Sequence, residues 1–508
     1  MQLFSLLGVL RAARLPACDT EYPVRALCTD SRRAGPGDLF ICLRGPREDG
    51  HDYAADAYAR GCRAFVCEYP PPGIPPEACV TYVPDSRLAL AALATAFYGH
   101  PEEGLTLIGI TGTKGKTTTA VMLYRLLLRA GVPVGYIGSL GAWYAGQEEE
   151  AVNTTPAITD LCRLFSAMRA RGVRTVVMEV SSQALCCERV AGLTFPLTIY
   201  TNLAADHVGE GEHPDHAHYR AAKARLFSDF SCRTMVANLD DESAPFMIGG
   251  SSARRIVTVS AHGDPAADFA AAHIRPLRRG PAFATAFCLC RRSGTEIPVT
   301  LPLPGECNVS DALLALAAAE AYLSEWEDRE GDILRALAYG LADVHVPGRF
   351  EPVVLPGTGA DFLIDYAHNG FSLSAAIAAL RLYAPAHLVC LFGSVGGRTY
   401  SRRADLARAA CAADFCIVTA DNPDTETPEE TMREICAVLE ENGKDYAAIP
   451  DRAQAVRYAV LHARPGDLVL LCGKGEEHYQ IVDGRRVPFS EKACLLAAGE
   501  ELARHAVL

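Results

Sequence analysis

The sequence predicts an α/β protein of three domains, and three observations carry that expectation. The chain has 508 residues, and at roughly 100–200 residues per domain that length holds about three. Strand-like apolar runs alternate with helical stretches, the pattern of parallel sheets covered on both faces. A glycine loop falls between one such strand and a long amphipathic helix. In chain order, residues 1–103 read as a small α/β unit. It has a turn-rich stretch from Thr29 to Asp38, a strand at 39–43, a loop with Asp49-Gly50-His51 and a strand at 64–67. Pro70 to Pro72 and Pro75-Pro76 punctuate it. Residues 104–345 form the central domain. Its predicted strands are 105–110, 175–180, 197–201 and 234–237, with helices at 116–130 and 310–323. Residues 346–508 form a third, Rossmann-like unit with strands at 362–364, 388–392, 415–418 and 468–471. No internal repeat or low-complexity tract is visible.

Composition narrows the function classes. Apolar residues make up 49% and charged residues 21%, enough for ordinary cores and too ordered a texture for disorder. Lys plus Arg is 48 against 61 acids, a net charge of −13. Such a chain is a poor general nucleic-acid binder, because the phosphate backbone must be met by cations. No run of about 18 apolar residues exists, so no membrane span is expected. The apolar start MQLFSLLGVLRAARLP lacks the order of a secretory signal. The 19 cysteines are scattered, many inside apolar runs, and read as buried, reduced thiols of a cytoplasmic protein. Cys288 and Cys290 have no second pair at a suitable distance, so metal binding by cysteine is set aside.

Chemistry concentrates in the central domain. Gly109 to Thr118 reads GITGTKGKTT between a strand and a helix. Small residues let backbone N–H groups approach phosphate oxygens, and the helix N-terminus adds a favourable dipole. Lys116 can reach the β- and γ-phosphates of a nucleotide, and Thr117 can ligate Mg²⁺. The loop, Gly112, Thr113, Lys114, Gly115, Lys116, Thr117 and Thr118, departs from the strict phosphate-loop pattern, because position 110 is Ile. Three more segments leave strands on the ligand-binding edge of such a sheet. Glu179 in EVSS is a natural Mg²⁺ ligand. His207 in TNLAADH is a candidate ligand. Lys223 in HYRAAK is an ordinary helix lysine by chemistry alone.

TGTKGKTTT, EVSS, TNLAADH and HYRAAK occur in the order and spacing of the Mur ligases. These ATP-dependent amide ligases build the peptidoglycan stem peptide. The resemblance covers nearly the whole chain and is specific to the UDP-MurNAc-tripeptide synthetase branch. It includes TDSRRAGPGDLFICLRG, NTTP, VPGRFE, IDYAHN, TADNPDTE, DRAQAVRYA and GKGEEHY. It implies a UDP-binding N-terminal domain, a central ATPase domain and a C-terminal amino-acid-binding domain. Lys116 and Thr117 would hold ATP and Mg²⁺, with Glu179 and His207 as Mg²⁺ ligands. Lys223 matches the lysine that CO₂ carbamylates, which turns a cation into a carboxylate-like ligand. Asn308 would lie near the adenine, and Arg349, Asp365 and His368 would close over the phosphates and ribose. Ser31 and His51 would contact the UDP part. Asn153, Thr154, Thr155, Ser181 and Arg189 would hold the muramoyl-dipeptide. Arg398, Asp421, Asn422, Asp424, Gly473 and Glu477 would surround the incoming amino acid. The catalytic set would be Lys116, Lys223, His207 and Arg349. The partners implied are UDP-MurNAc-L-Ala-D-Glu and a free amino acid, with no nucleic acid; the oligomeric state stays open, a monomer being the simplest expectation.

The departures cluster at the acceptor and amino-acid positions. Diaminopimelate-adding members carry DNPR, whose arginine pairs with the distal carboxylate; here Asp424 stands in that place. An acid there suits an ammonium group. Glu476 replaces a histidine, Cys187 stands where the family uses a glutamine, DYHG is absent after Asp206-His207, and the segment ending at Arg398 is altered. The expected amino acid is therefore basic, lysine-like or diaminopimelate. The alternatives are a paralogue joining a different amino acid or acceptor, and a non-catalytic ATP-binding regulatory protein.

Overall fold

The computed structural model describes the chain except residues 11–21, 46–47, 151–152, 205, 207, 210–211, 328–332, 398–399 and 507–508. It packs as two compact units. The first holds Met1–Thr113, Ala130–Val236 and Ser243–Ile256; the second holds Lys114–Arg129, Ala237–Glu242 and Val257–Leu508.

The first unit contains two sheets. β1 (Ala26–Cys28), β2 (Asp38–Ile41), β3 (Ala64–Cys67) and β4 (Cys79–Tyr82) pair in that order, all parallel. Phe40, Cys42, Ala54, Ala57, Cys62 and Phe65 form their core. The helix Ser86–Phe97 follows, capped by Asp85, whose carboxylate accepts from the N–H groups of Arg87 and Leu88. This cap satisfies two of the orphan donors at a helix start. The second sheet is built on β5 (Thr106–Thr111). β10 (Leu197–Tyr200) lies on one side, and β9 (Thr175–Glu179) then β6 (Val134–Gly138) on the other, all parallel. β7 (Gly141–Tyr144) and β8 (Gln147–Glu149) extend it antiparallel. β5, β9 and β10 carry near-continuous apolar residues because both faces are covered.

β11 (Thr234–Asn238) and β12 (Arg255–Ser260) cross the division between the units. In the second unit β12 pairs parallel with β13 (Phe269–Arg279), which continues antiparallel into β14 (Ala282–Arg291) and β15 (Glu296–Leu301). The helices Lys116–Arg129 and Glu306–Trp326 pack on one another; from Val309 to Leu323 the latter is almost wholly buried and alanine-rich, which allows close approach. The last sheet has the order β16-β17-β21-β18-β19-β20. Its strands are β16 (Glu351–Val353), β17 (Asp361–Asp365), β18 (Leu388–Phe392), β19 (Phe415–Val418), β20 (Tyr446–Ala448) and β21 (Leu468–Cys472). All pairs are parallel except β16 with β17. A hairpin of β22 (Tyr479–Val482) and β23 (Arg485–Pro488) stands apart.

Two expectations need amending. The central region has the expected parallel sheet in β5, β6, β9 and β10, and antiparallel strands extend it. Its antiparallel strands escape the sequence reading because β13 is only half-buried and basic toward its end, so it lacks an apolar run. The cysteines are not all reduced: seventeen described ones are free thiols, but Cys79 is disulfide-bonded. Among the described residues, no helix is long and apolar enough to cross a membrane.

Candidate active site

β5 delivers the glycine loop to the start of the helix Lys116–Arg129. Two of its glycines are required by space as well as conformation. Gly112 has φ +156°, and a Cβ there would overlap the Thr201 hydroxyl. Gly115 has φ +81°, and a Cβ there would overlap the Asp311 carboxylate. Only glycine adopts such backbone without penalty and admits these neighbours.

In the first unit, Thr113 links the loop to the strand ends beside it. Its N–H donates to the Asn202 carbonyl at 2.8 Å, and its hydroxyl accepts from the Ala204 N–H at 3.0 Å. The same hydroxyl lies 3.1 Å from the Tyr219 hydroxyl. Tyr219 and Lys223 share the helix His216–Ser228. Lys223 is buried, its Nζ donating to the Gly112 carbonyl at 2.7 Å and lying 4.4 Å from the centre of the Tyr219 ring.

Glu179 ends β9, fully buried. Its Oε1 accepts from the Tyr136 hydroxyl at 2.7 Å and the Ser139 N–H at 2.9 Å, and its Oε2 from the Ser139 hydroxyl at 3.3 Å. Around it gather the residues expected at the peptide substrate. Thr155 donates to the Glu179 carbonyl at 2.9 Å and accepts from the Ser181 N–H at 3.0 Å. Arg189 donates to the Thr155 carbonyl at 3.1 Å, and the Thr154 hydroxyl lies 3.0 Å from that of Ser139. Ser181 caps the short helix Ser182–Cys186. Asn153 is exposed in the same segment. Tyr136 and Ser139 were not foreseen, since neither falls in a recognisable motif.

Ser31 is buried in a turn after Asp30. His51 is wholly buried, with Nδ1 2.6 Å from Asp49, Nε2 accepting from the Glu68 N–H at 2.9 Å and its face stacked on Tyr69. Both ring nitrogens are used inside the domain, so His51 shapes its loop rather than offering a free edge. His207 and Arg398 lie outside the described residues.

In the second unit, Lys114 and Lys116 are half-buried, and Thr117 and Thr118 buried. Asp311, which no motif flagged, faces the loop from the helix Glu306–Trp326 and accepts from the Thr119 hydroxyl at 3.2 Å. Burial pushes its carboxyl up to about 7, against the pull of Thr119, Arg349 and Lys116. Asn308 donates to the Pro304 carbonyl at 2.7 Å. Asp365 ends β17, accepting from the N–H groups of Phe350 at 3.0 Å and Ala367 at 2.8 Å. Burial raises its carboxyl and Arg349 draws it back. Arg349 lies over the Tyr366 ring at 4.9 Å, and His368 Nδ1 is 2.8 Å from the Tyr366 carbonyl.

A polar cluster follows at the ends of β19 and β21. Lys474 is fully buried; its Nζ donates to Asn422 at 2.6 Å and to Glu477 at 3.0 Å, and pairs with Asp421 at 3.4 Å. The Tyr366 hydroxyl donates to Glu477 at 3.3 Å. Gly473, at φ +110°, lets Asp421 pass close to the backbone. Asp424 stands slightly apart. It has φ +55°, its N–H donates to the Ile481 carbonyl at 2.9 Å, and its carboxylate accepts from the Gly484 N–H at 3.1 Å. Its side chain therefore braces the β22–β23 turn. Lys474 lies within the GKGEEHY motif, beside the expected Gly473 and Glu477.

Comparisons with known proteins match this architecture along the chain. Residues 23–98 match the Mur ligase family catalytic domain, 110–319 the Mur ligase middle domain and 348–475 the Mur ligase glutamate ligase domain. A UDP-N-acetylmuramoyl-L-alanyl-D-glutamate–2,6-diaminopimelate ligase of Geobacillus kaustophilus is 39% identical over 486 residues, 94% of this chain and 95% of its own. The chain belongs to the Mur ligase family. The namesake ligase of Geobacillus thermodenitrificans is 38% identical over 94% of this chain and 95% of its own. A solved structure of a ligase of that name superposes with a TM-score of 0.66 at 26% identity, covering 99% of both chains. A MurF ligase of Thermotoga maritima in complex with ADP shares the fold, with a TM-score of 0.58 at 18% identity over 95% of this chain and 99% of its own. This Mur ligase has the three domains of the family, and it is an ATP-dependent acid–amino-acid ligase of peptidoglycan synthesis, of the tripeptide-synthetase type.

Proposed function

We propose that this Mur ligase adds a basic amino acid, lysine-like or diaminopimelate, to the D-Glu carboxylate of UDP-MurNAc-L-Ala-D-Glu in the cytoplasm. The observation that carries the acceptor reading is the set of Thr154, Thr155, Ser181 and Arg189 assembled around Glu179. A carboxylate is a poor acyl donor, so ATP first phosphorylates it. The amine then attacks the acyl phosphate, and phosphate leaves from a tetrahedral intermediate. Both steps gather negative charge, which Lys116 and the loop N–H groups meet. Arg349 and Asp365 act on the nucleotide, and Asp421, Asn422 and Glu477 face the incoming amino acid, with Lys474 holding them in place.

The donors present fit Mg²⁺. In the first unit Glu179 offers hard oxygen ligands, and its buried carboxylate is held in one orientation by Tyr136 and Ser139. When bound, the ion supplies Lewis-acid stabilisation of phosphoryl charge. As an ammonium, Lys223 would repel it; carbamylated by CO₂, Lys223 would be an oxygen donor. Arg189 and Thr154 orient the peptide. The reading is tested by product analysis with UDP-MurNAc-L-Ala-D-Glu and a panel of lysine, ornithine, diaminopimelate and neutral amino acids. ATP turnover dependent on a diamino acid is expected; turnover only with a different acceptor would replace the reading by a paralogue's.

Asp424 favours an amino acid without a distal carboxylate. Diaminopimelate brings a distal ammonium and a distal carboxylate, whereas lysine and ornithine bring the ammonium alone. The position that carries an arginine in DNPR here carries an acid, so the distal carboxylate lacks that partner.

A further inference from the structure

We propose that Cys186, His213 and His218 form a site for a transition-metal ion of the Zn²⁺ class. The three residues come from different segments. Cys186 ends the helix Ser182–Cys186, His213 lies in the loop that follows β10, and His218 sits in the first turn of His216–Ser228. One ligand atom of each lies within 4.8 Å of the other two. His213 Nδ1 and His218 Nδ1 are 2.8 Å apart, and His213 Nε2 is 2.9 Å from the Ser182 hydroxyl.

Two imidazole nitrogens at that separation hold one proton between two lone pairs. A cation displaces that proton, which passes to the Nε2 of the ring that held it, and both neutral rings then donate through Nδ1. The Cys186 thiol supplies a third bond by losing its proton to solvent, as thiol ligands do on metal binding. One sulfur and two imidazoles are borderline-soft donors, which select Zn²⁺ or Co²⁺ over Mg²⁺. Three protein ligands leave a fourth position for water, and His218 is exposed, so the ion has a way in. The other cluster of this kind, Cys42, His51 and Cys67, is sealed from solvent, and both nitrogens of His51 are already taken by Asp49 and Glu68.

The position gives the ion a structural consequence. His218 and Lys223 are five residues apart on one helix, about 7.5 Å along its axis. Ser181, beside the peptide-binding residues, caps the helix that ends in Cys186. A bound ion therefore ties the segment that follows Glu179 to the helix that carries Lys223.

The test is a Co²⁺ titration of the full-length protein in buffer with excess Mg²⁺. A thiolate-to-cobalt charge-transfer band should appear at one equivalent and vanish on adding Zn²⁺. Cys186→Ser should abolish the band. His218→Ala changes an exposed side chain, so the fold should persist, as a melting curve checks. It should weaken Zn²⁺ binding by about tenfold or more, read by competition with a chromogenic chelator. No band in the wild-type protein, an undiminished band in Cys186→Ser, or an unchanged Zn²⁺ affinity in His218→Ala would each overturn the proposal. A band lost in Cys42→Ser instead would place the metal in the other cluster and overturn it equally.

Discussion

Lys223 shows how little a residue's type says about its work. It is a helix lysine with almost no exposure, held on the Gly112 carbonyl. Replacing it by alanine should lower kcat by on the order of 10²-fold or more, the scale of removing a group that stabilises transition-state charge. A short-chain carboxylate should restore part of the rate. Wild-type activity of Lys223→Ala in CO₂-free buffer would remove the carbamate from the mechanism. Asp424 sets the second prediction. Losing one charge-assisted pair costs about 1.5–3 kcal/mol, so lysine or ornithine should exceed diaminopimelate by on the order of tenfold in kcat/KM. Asp424→Arg should move preference toward diaminopimelate. Asp424→Asn is the control, since asparagine tolerates the left-handed backbone and can still accept from the Gly484 N–H. Better use of diaminopimelate by the wild type, with Asp424→Arg neutral, would refute it. Asp311 makes the third. Its carboxyl is lifted from 3.8 to about 7. Across that window the unfolded chain releases a proton the folded chain keeps, so folding stability falls as pH rises from about 4 to about 7. Asp311→Asn should remove this slope and gain about 1–3 kcal/mol on the wild type at pH 7. Melting curves at both pH values would check it; parallel curves would contradict it.

At the scale of elements, the phosphate loop and the helix behind it form one device. The helix Glu306–Trp326 presses Asp311 against Gly115. Gly115→Ala should therefore cost about 1–3 kcal/mol of stability through overpacking and weaken ATP binding as well. Asp311→Ala on top should recover part of the stability, because one clash is relieved while the φ of +81° stays strained. Full additivity in a double-mutant cycle would show that the two residues do not press on each other. The strands that position the site were legible for a physical reason. β5, β9, β10, β18, β19 and β21 are central and covered on both faces, so they carry dense apolar runs. The antiparallel β13–β15 and the β22–β23 hairpin were not, because half-exposed strands dilute that signal among polar residues.

At the scale of the molecule, the second unit places Lys116, Asp311, Arg349 and Asp365 in one body. The carboxyls of Asp311 and Asp365 both feel the Arg349 charge. ATP binding should therefore need the C-terminal region as well as the loop. Arg349→Ala in the full chain should raise the KM for ATP and abolish most turnover. Truncation after Ala342 should leave weak nucleotide affinity and no turnover. A truncated chain that binds ATP as tightly as the whole would show that the loop suffices.

The sequence by itself determined the family, the ligase chemistry, the glycine loop and most residues around Glu179, because these rest on side-chain identity within short contiguous motifs. Tertiary structure alone decided what depends on distant segments meeting. It turned His51 into an internal brace, engaged the Asp424 carboxylate with a hairpin turn and set Asp311 against the phosphate loop. It brought Cys186, His213 and His218 within reach of one ion. Spacing along the chain sets which residues share a helix face or strand edge. Contact between elements depends on packing, which joins residues about 30 positions apart in the metal cluster and about 200 apart at Asp311 and Gly115 without leaving a local signature.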